Sequence, residues 1–119
     1  MFTFHNFTDT IIAELSDEEF VISKTQDALD LFGELIPFNC TKIVIHESNL
    51  HPDFFILRTG TAGDILQKFS NYRIKVAFVG DFTKFTSKSM QDFIRESNKG
   101  KSIFFLENLD TALNKLAGK

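Results

Sequence analysis

Apolar and polar residues alternate at the start of the chain, and this alternation predicts an antiparallel β-hairpin. Residues 2–7 place Phe between polar side chains and are predicted to form the first strand. The Thr-Asp pair at 8–9 is typical of a turn, and residues 10–15 are predicted to form the second strand. Residues 20–22 are expected to be extended as well.

Three later segments are short and almost continuously apolar: residues 43–45, 74–79 and 103–106. Strands of this composition are typically covered on both faces, as in a parallel sheet that is flanked by helices. We therefore expect these three segments to be strands of such a sheet.

Four segments repeat apolar residues at helical spacing. They cover residues 25–36, 62–69, 90–97 and 109–116, and Gly118 is expected to close the last one. The order of elements is then β-β-α-β-α-β-α-β-α.

This order predicts a single α/β domain over residues 1–119. An N-terminal hairpin is followed by alternating strands and helices, which gives a mixed sheet of about five strands with about four helices on its faces.

Two helices carry recognisable end signals. Ser23 with Gln26 three residues later fits a capping box at the start of the first helix, and Thr25 is the alternative cap. Pro37 is expected to end that helix, because proline lacks an amide donor. Gly100 is expected to end the third helix in the left-handed conformation.

Charge is distributed unevenly along the chain, whose net charge is −3. Residues 1–64 hold 11 acidic and 3 basic residues, whereas residues 65–119 hold 5 acidic and 10 basic ones. The basic residues are scattered and form no run, so we expect no nucleic acid as the partner. No apolar run approaches the length of a membrane span, so we expect no membrane either.

The single cysteine, Cys40, excludes a disulfide framework, and together with three His it excludes a closed cysteine-rich zinc site. The N-terminus lacks the pattern of a signal peptide. We therefore expect a cytoplasmic protein that holds no metal and no cofactor.

Ligands of open α/β sheets usually meet the loops beyond the carboxyl ends of the parallel strands. His46 and Glu47 follow the third predicted strand, Asp81 the fourth and Glu107 the fifth. These four side chains are candidates for a cleft that binds a cation or performs acid–base chemistry. The alternative, which we favour, is that the acids cap turns and His46 makes a structural hydrogen bond, so we predict no catalytic and no metal-binding residue.

The start of the second helix is rich in threonine and glycine. Thr59 and Thr61 are candidate caps, and Gly60 and Gly63 permit close approach of the backbone. Thr61 with Asp64 also fits the Ser/Thr-x-x-Asp/Glu pattern of a helix start. Amide groups and the helix dipole favour anions at such a position, so capping, anion binding and phosphorylation all stay open.

Phenylalanine is frequent, with 15 residues against one Tyr and no Trp. Most are assigned to the core, because Phe has no polar group. Four fall in loops at the carboxyl edge of the sheet: Phe54, Phe55, Phe82 and Phe85. Phe54 and Phe55 either anchor a partner or pack into the interior, and the interior is the more common place for Phe.

Three stretches closely resemble a bacterial family of small proteins, domain of unknown function 4180. They are FFILRTGTAGDILQKFSNYRIKVAFVGDF at residues 54–82, SKSMQDFIRESNKG at residues 87–100 and QDALDLFGE at residues 26–34. The resemblance covers most of the chain, and the family label implies no biochemistry.

The element order also looks like that of the STAS fold, the anti-sigma-factor-antagonist type. In STAS regulators a serine or threonine at the start of the second helix is phosphorylated, and this breaks partner binding. Here the segment around Arg58, Thr59, Gly60 and Thr61 falls in that place. Arg58 stands where the family has aspartate, Thr59 is the nearest equivalent of the phosphosite, and Thr61 is the alternative.

The resemblance implies a non-enzymatic cytoplasmic regulatory domain that binds a protein partner through the second helix and the preceding loop, with Phe54, Phe55 and Arg58 as candidate contacts. The alternative is a small-ligand-binding protein or small enzyme that uses the cleft at the carboxyl ends of the strands. A homodimer, paired through the N-terminal ribbon or a Phe-bearing helix face, is compatible with the first reading.

Overall fold

The computed structural model describes residues 1–118, and this part of the chain forms five strands and four helices. The elements are β1 (Phe2–Asn6), β2 (Ile11–Leu15), α1 (Thr25–Leu35), β3 (Lys42–His46), α2 (Thr61–Asn71), β4 (Lys75–Val79), α3 (Lys88–Lys99), β5 (Ile103–Leu106) and α4 (Leu109–Leu116). Within residues 1–118 no helix is long and apolar enough to cross a membrane.

The five strands form one sheet whose order follows the chain, β1-β2-β3-β4-β5. β1 pairs antiparallel with β2, and the N–H of Phe7 donates to the carbonyl of Thr10 (2.8 Å) to close the hairpin. The strands from β2 to β5 run parallel. The predicted α/β class, with its N-terminal hairpin and mixed five-stranded sheet, is therefore confirmed.

The three crossover helices α1, α2 and α3 share one face of the sheet. Right-handed connections between neighbouring parallel strands put their helices on the same side when the strand order is sequential. The main core accordingly joins α1 and α2 to alternate residues of the strands: Phe32 and Phe69, whose rings lie 4.8 Å apart, pack with Ile43, Ile45 and Phe78.

The fourth helix lies on the opposite face. Ala112 and Leu116 of α4 are buried with Val44, Ala77 and Phe104, which point away from the main core. The apolar runs of β3, β4 and β5 are thus covered on both faces, as their composition predicts.

The capping box at the start of α1 is formed by Asp27 and not by the predicted Gln26. The carboxylate of Asp27 accepts from the N–H (2.9 Å) and the Oγ (3.0 Å) of Ser23 and from the N–H of Lys24 (3.0 Å). Gln26 instead donates to Asp30 (2.8 Å). An ionised carboxylate is the stronger acceptor for such donors, which explains why Asp27 takes this position.

Two of the predicted helix ends agree with the structure, and one does not. α1 ends at Leu35, just before Pro37, and Gly118 has a positive φ of 82°, both as expected. The prediction for Gly100 is wrong, because its φ is −80° and its ψ is −165°. Only residues 100–102 connect α3 to β5, and an extended glycine spans this short connection.

Candidate functional site

The long loop after β3 is held in place by one buried amide side chain. Asn49 is 1% exposed, and its Nδ2 donates to the carbonyls of Asp17 (3.0 Å) and Phe20 (2.9 Å). Its Oδ1 accepts from the N–H of His46 (3.2 Å). A parallel bridge between Ile22 and Leu50 adds a second attachment, so of residues 20–22, which were expected to be extended, Ile22 pairs.

Phe54 belongs to the interior of the molecule. It is 1% exposed, and its ring lies 5.5 Å from that of Phe78 and 6.5 Å from that of Phe105. A ring enclosed in this way cannot anchor a partner, so Phe54 is removed from the candidate binding residues. Phe54 is the buried residue of the 3-10 turn Pro52–Phe55.

Three other phenylalanines form what we call the aromatic edge cluster: Phe55, Phe82 and Phe85. Phe55 stacks on Phe85 with ring centroids 4.2 Å apart, and Phe82 lies 6.2 Å from Phe55. All three are partly exposed, and Phe82 also meets the buried ring of Phe105 edge-on at 5.3 Å. The cluster therefore joins the loop after β3 to the loop after β4 at the carboxyl edge.

The start of α2 is an exposed turn a few residues after Phe55 in the chain. Gly60 is the N-cap residue with φ 78°, a left-handed conformation that suits glycine, and it offers no side chain for capping. The prediction of Thr61 as the cap is wrong, because Thr61 is the first helical residue. Thr59 Oγ1 donates to the carbonyl of Ile56 (2.8 Å) and accepts from the N–H of Thr61 (3.2 Å).

Arg58 and Gly63 are also exposed at this helix start. An added Cβ on Gly63 would meet nothing within 4 Å, so this glycine is not required by close packing. None of these residues lines an enclosed cavity among those found in the described part of the chain.

A cleft of about 1010 Å³ opens beside the aromatic edge cluster, at the carboxyl ends of β4 and β5. One wall is α3 and the other is the loop after β4. Its lining combines apolar, neutral polar and charged side chains: Asp81, Phe82, Phe85, Gln91, Ile94, Arg95, Asn98, Lys99, Phe105 and Glu107.

Two of the four predicted cleft residues line the cleft in the structure, and two do not. Asp81 and Glu107 line the cleft, as expected from their places after β4 and β5. Glu47 lies against Gly80 and forms an ion pair with Lys84. An added Cβ on Gly80 would lie 2.6 Å from the Cβ and from the Oε1 of Glu47, so only glycine permits this contact. His46 points to the other face of the sheet and takes no part in the cleft.

The acids near the cleft are held as anions by their neighbours. The hydroxyl and N–H of Thr83 donate to Asp81 and hold the pKa of that carboxyl below its usual value of 3.8. On α3, hydrogen bonds from Lys88 and Arg95 lower the pKa of Asp92 in the same way. Both acids are therefore charged at neutral pH.

A second polar cluster lies on the sheet face that carries α4. Nε2 of His5 donates to Oε1 of Glu14 (2.9 Å), and Nε2 of His46 donates to Oε2 of the same carboxylate (2.6 Å). Burial raises the pKa of Glu14, whereas the hydrogen bonds and charges of His5 and His46 lower it, and the net direction is down. The structural hydrogen bond expected for His46 is thus present.

Glu14 and His5 were not predicted as partners of His46. The available signal was a glutamate inside the otherwise apolar strand Ile-Ile-Ala-Glu-Leu, because an acid half-buried in a sheet requires a partner. In residues 1–118 no group of three or more His, Cys, Asp or Glu is arranged to hold a metal ion.

Comparison with known families shows to which family this chain belongs. Residues 7–116 match the family model described as a domain of unknown function (DUF4180), and the chain belongs to that family. No curated protein matches the sequence.

Proposed function

We propose that this protein is a non-enzymatic regulatory domain that binds another protein at the carboxyl edge of its sheet. The observation that carries the proposal is the open cleft of about 1010 Å³ between α3 and the aromatic edge cluster. Its lining includes the apolar side chains of Phe82, Phe85 and Ile94 together with side chains of both signs of charge. Protein interfaces usually combine apolar contact area with polar and charged residues in this way.

The partner segment that fits this cleft has one apolar side chain flanked by charged residues. The apolar side chain would contact Phe85 and Ile94, which are partly buried and therefore retain apolar surface for a partner. Arg95 and Lys99 on α3 line the cleft together with Asp81, which follows β4, and Glu107, which follows β5. Charges of opposite sign on different elements of the lining favour one orientation of the bound segment.

The state of the acids supports binding rather than catalysis. A general acid or base works best with a pKa near the pH of the reaction, and the pKa of Asp81 is lowered instead. Glu47 is engaged in an ion pair with Lys84. These carboxylates hold turns and loops in place, which gives the edge a fixed shape for recognition.

A matched pair of charge reversals on α3 tests the proposal. Lys88 and Arg95 both pair with Asp92, but only Arg95 lines the cleft. We expect Arg95→Glu to reduce co-purification of a specific protein by at least about tenfold, and Lys88→Glu to leave it unchanged. Equal recovery with both variants, measured by quantitative mass spectrometry, would contradict the proposal.

Phosphorylation of Thr59, or alternatively of Thr61, is the proposed switch. Thr59 is exposed, and its hydroxyl bonds only within its own turn, to Ile56 and Thr61. A phosphate there adds about −1.5 to −2 charge four residues after Phe55 of the aromatic edge cluster. This part of the proposal follows the resemblance to STAS regulators.

The switch is tested with Thr59→Glu and a control on α2, Ser70→Glu. Ser70 is exposed near the far end of α2, so its substitution adds the same charge away from the proposed binding edge. We expect only Thr59→Glu to weaken partner capture. The same loss with Ser70→Glu would show that charge on the protein, and not its position, is responsible.

A second candidate function is binding of a small anion in the same cleft. Arg95 and Lys99 favour it, because both line a cavity whose volume is at the upper end of the range for small ligands, about 300–1,000 Å³. A thermal-shift screen of anionic metabolites against wild type and Arg95→Glu separates the two functions. A ligand that raises the melting temperature of wild type only would favour this candidate.

A further inference from the structure

The outer edge of β1 carries unpaired backbone groups. In an antiparallel pair, every second residue directs its N–H and C=O to the partner strand and the others direct them away. Phe7 donates to Thr10 and Met1 accepts from Ser16, so residues 3 and 5 bond to β2. The N–H and C=O groups of Phe2, Phe4 and Asn6 therefore point outward, and within residues 1–118 no chain segment pairs with this edge.

At the opposite edge of the sheet, on β5, a side chain bonds to outward backbone groups. On β5 the outward N–H of Phe105 donates to Oδ1 of Asn98 (2.7 Å), and its outward C=O accepts from Nδ2 of Asn98 (3.0 Å). The side chain of Asn98 thus replaces a neighbouring strand and blocks this edge. Natural sheets commonly protect their edges in some such way, because an open edge pairs with other chains.

The sequence of β1 has none of the residues that discourage pairing. Residues 1–7 contain no Lys, Arg, Asp, Glu or Pro. The edge also has an apolar neighbour on the face of the main core. Phe38 is 52% exposed and its ring lies 4.7 Å from that of Phe4, which in turn lies 5.9 Å from Phe2.

We propose that β1 is a dimerisation edge at which two copies of this chain pair antiparallel about a two-fold axis through Phe4, forming one continuous ten-stranded sheet. In this register Phe4 lies opposite Phe4 of the second copy, and Phe2 lies opposite its Asn6. All the outward groups of the three residues then find partners. Thr3 lies opposite His5, so no like charges meet across the axis.

A second copy is the occupant that this edge fits best, because the edge is complementary to itself. Strand length, hydrogen-bonding pattern and side-chain pattern all match under the two-fold operation. The pairing also brings Phe4 and Phe38 of both copies together on one face and removes their exposed surface from water. The cleft at the carboxyl edge takes no part, so this inference is independent of the proposed function.

Proline substitution at Asn6 tests the dimer. The N–H of Asn6 points away from β2, so Asn6→Pro removes an intermolecular donor and leaves the hairpin bonds intact. Asn6→Ala keeps the N–H and is the matched control. Sedimentation equilibrium of the full chain at up to about 1 mM, where weak association is detectable, gives the mass of each form.

We expect twice the monomer mass for wild type and Asn6→Ala, and the monomer mass for Asn6→Pro. Phe4→Lys is a second blocking variant, because it would place two like charges opposite each other on the axis; circular dichroism verifies that each variant is folded. A monomeric wild type at the highest concentration would overturn the proposal. So would a dimer that persists in both Asn6→Pro and Phe4→Lys.

Hydrogen exchange locates the interface independently. On raising the protein concentration, the amides of Phe2, Phe4 and Asn6 are expected to gain protection, and the outward amide of Ile103 on β5 is expected to stay unchanged. Protection gained elsewhere, without a change on β1, would place the interface on another surface.

Discussion

Glu14 is the one acidic residue within the five strands of the described chain. Both of its carboxylate oxygens accept from an imidazole, and its side chain is only 16% exposed. Because the unfolded chain has no such partners, the folded state binds the proton of Glu14 more weakly than the unfolded state does. This difference links the protonation of one residue to the stability of the whole fold.

The pH dependence of stability has a definite sign here. The pKa of folded Glu14 lies below its ordinary value of 4.5, so its contribution is complete above that value and is lost as the pH falls through the lowered one. We expect Glu14→Gln to reduce the free energy of unfolding by about 1–2 kcal/mol at pH 7 and by less below pH 4.5. Urea denaturation at several pH values measures this difference in the free energy of unfolding between wild type and Glu14→Gln.

Glu34→Gln is the control for this experiment, since Glu34 is an exposed acid on α1. Its effect on unfolding is expected to be small at every pH. A deficit in Glu14→Gln that stays constant down to pH 3 would contradict the linkage.

Phe54 and Phe55 are adjacent residues with different environments. Phe54 is enclosed by Phe78 and Phe105, whereas Phe55 is partly exposed and stacks on Phe85. We expect Phe54→Ala to cost about 3–5 kcal/mol of unfolding free energy, and Phe55→Ala clearly less. Chemical denaturation compares them, and an equal or reversed ranking would show that Phe54 is not the core residue of the pair.

At the scale of elements, the connection between β3 and β4 depends on the contact of Glu47 with Gly80. Both follow their strands directly, and the parallel register brings His46 opposite Val79, one residue before each. Glu47 can lie across Gly80 only because Gly80 has no side chain, and this position lets it pair with Lys84 of the next turn. The contact ties the loops of two neighbouring strands together.

Gly80→Ala is therefore expected to be destabilising by about 1–3 kcal/mol, because its Cβ would overlap Glu47. The matched substitution is Gly63→Ala, which adds the same atom in open space on α2. That variant is expected to be neutral or stabilising by up to about 1 kcal/mol, since alanine favours helix. Thermal unfolding distinguishes them, and similar effects of the two variants would contradict this account.

The elements themselves were predictable because their signals are local. Five apolar or alternating segments and four helical periods give every strand and helix in order, with ends shifted by a few residues. The box at Asp27 and the conformation of Gly100 were missed. Each depends on competition between nearby donors and acceptors or on the length of a connection, and spacing in the sequence does not resolve such competition.

At the scale of the whole molecule, the site was predictable only where chain order alone sets position. Asp81 and Glu107 follow the carboxyl ends of neighbouring parallel strands and therefore share the cleft. The contributions of Arg95 and Lys99 were not predicted, because they depend on how α3 is rotated against β5. The meeting of His5, Glu14 and His46 was missed for a related reason: it joins three strands through side chains that alternate across the sheet.

The two proposals assign two surfaces of the sheet to binding. The carboxyl edge would bind a partner protein at the cleft and the aromatic edge cluster, and β1 would pair with a second copy. These surfaces lie on different borders of the sheet, since the cleft is formed at β4 and β5 and the pairing edge is the far strand. A dimer would therefore carry two binding clefts, which raises its avidity for a partner with repeated segments.

Partner binding at the cleft is tested by site-specific photo-crosslinking. A benzophenone amino acid replaces Gln91, which lines the cleft, or Ser89, an exposed residue on the same helix outside it. In the source cell we expect a discrete crosslinked protein from position 91 and none from position 89. Equal crosslinking at both positions, or none at position 91, would contradict it.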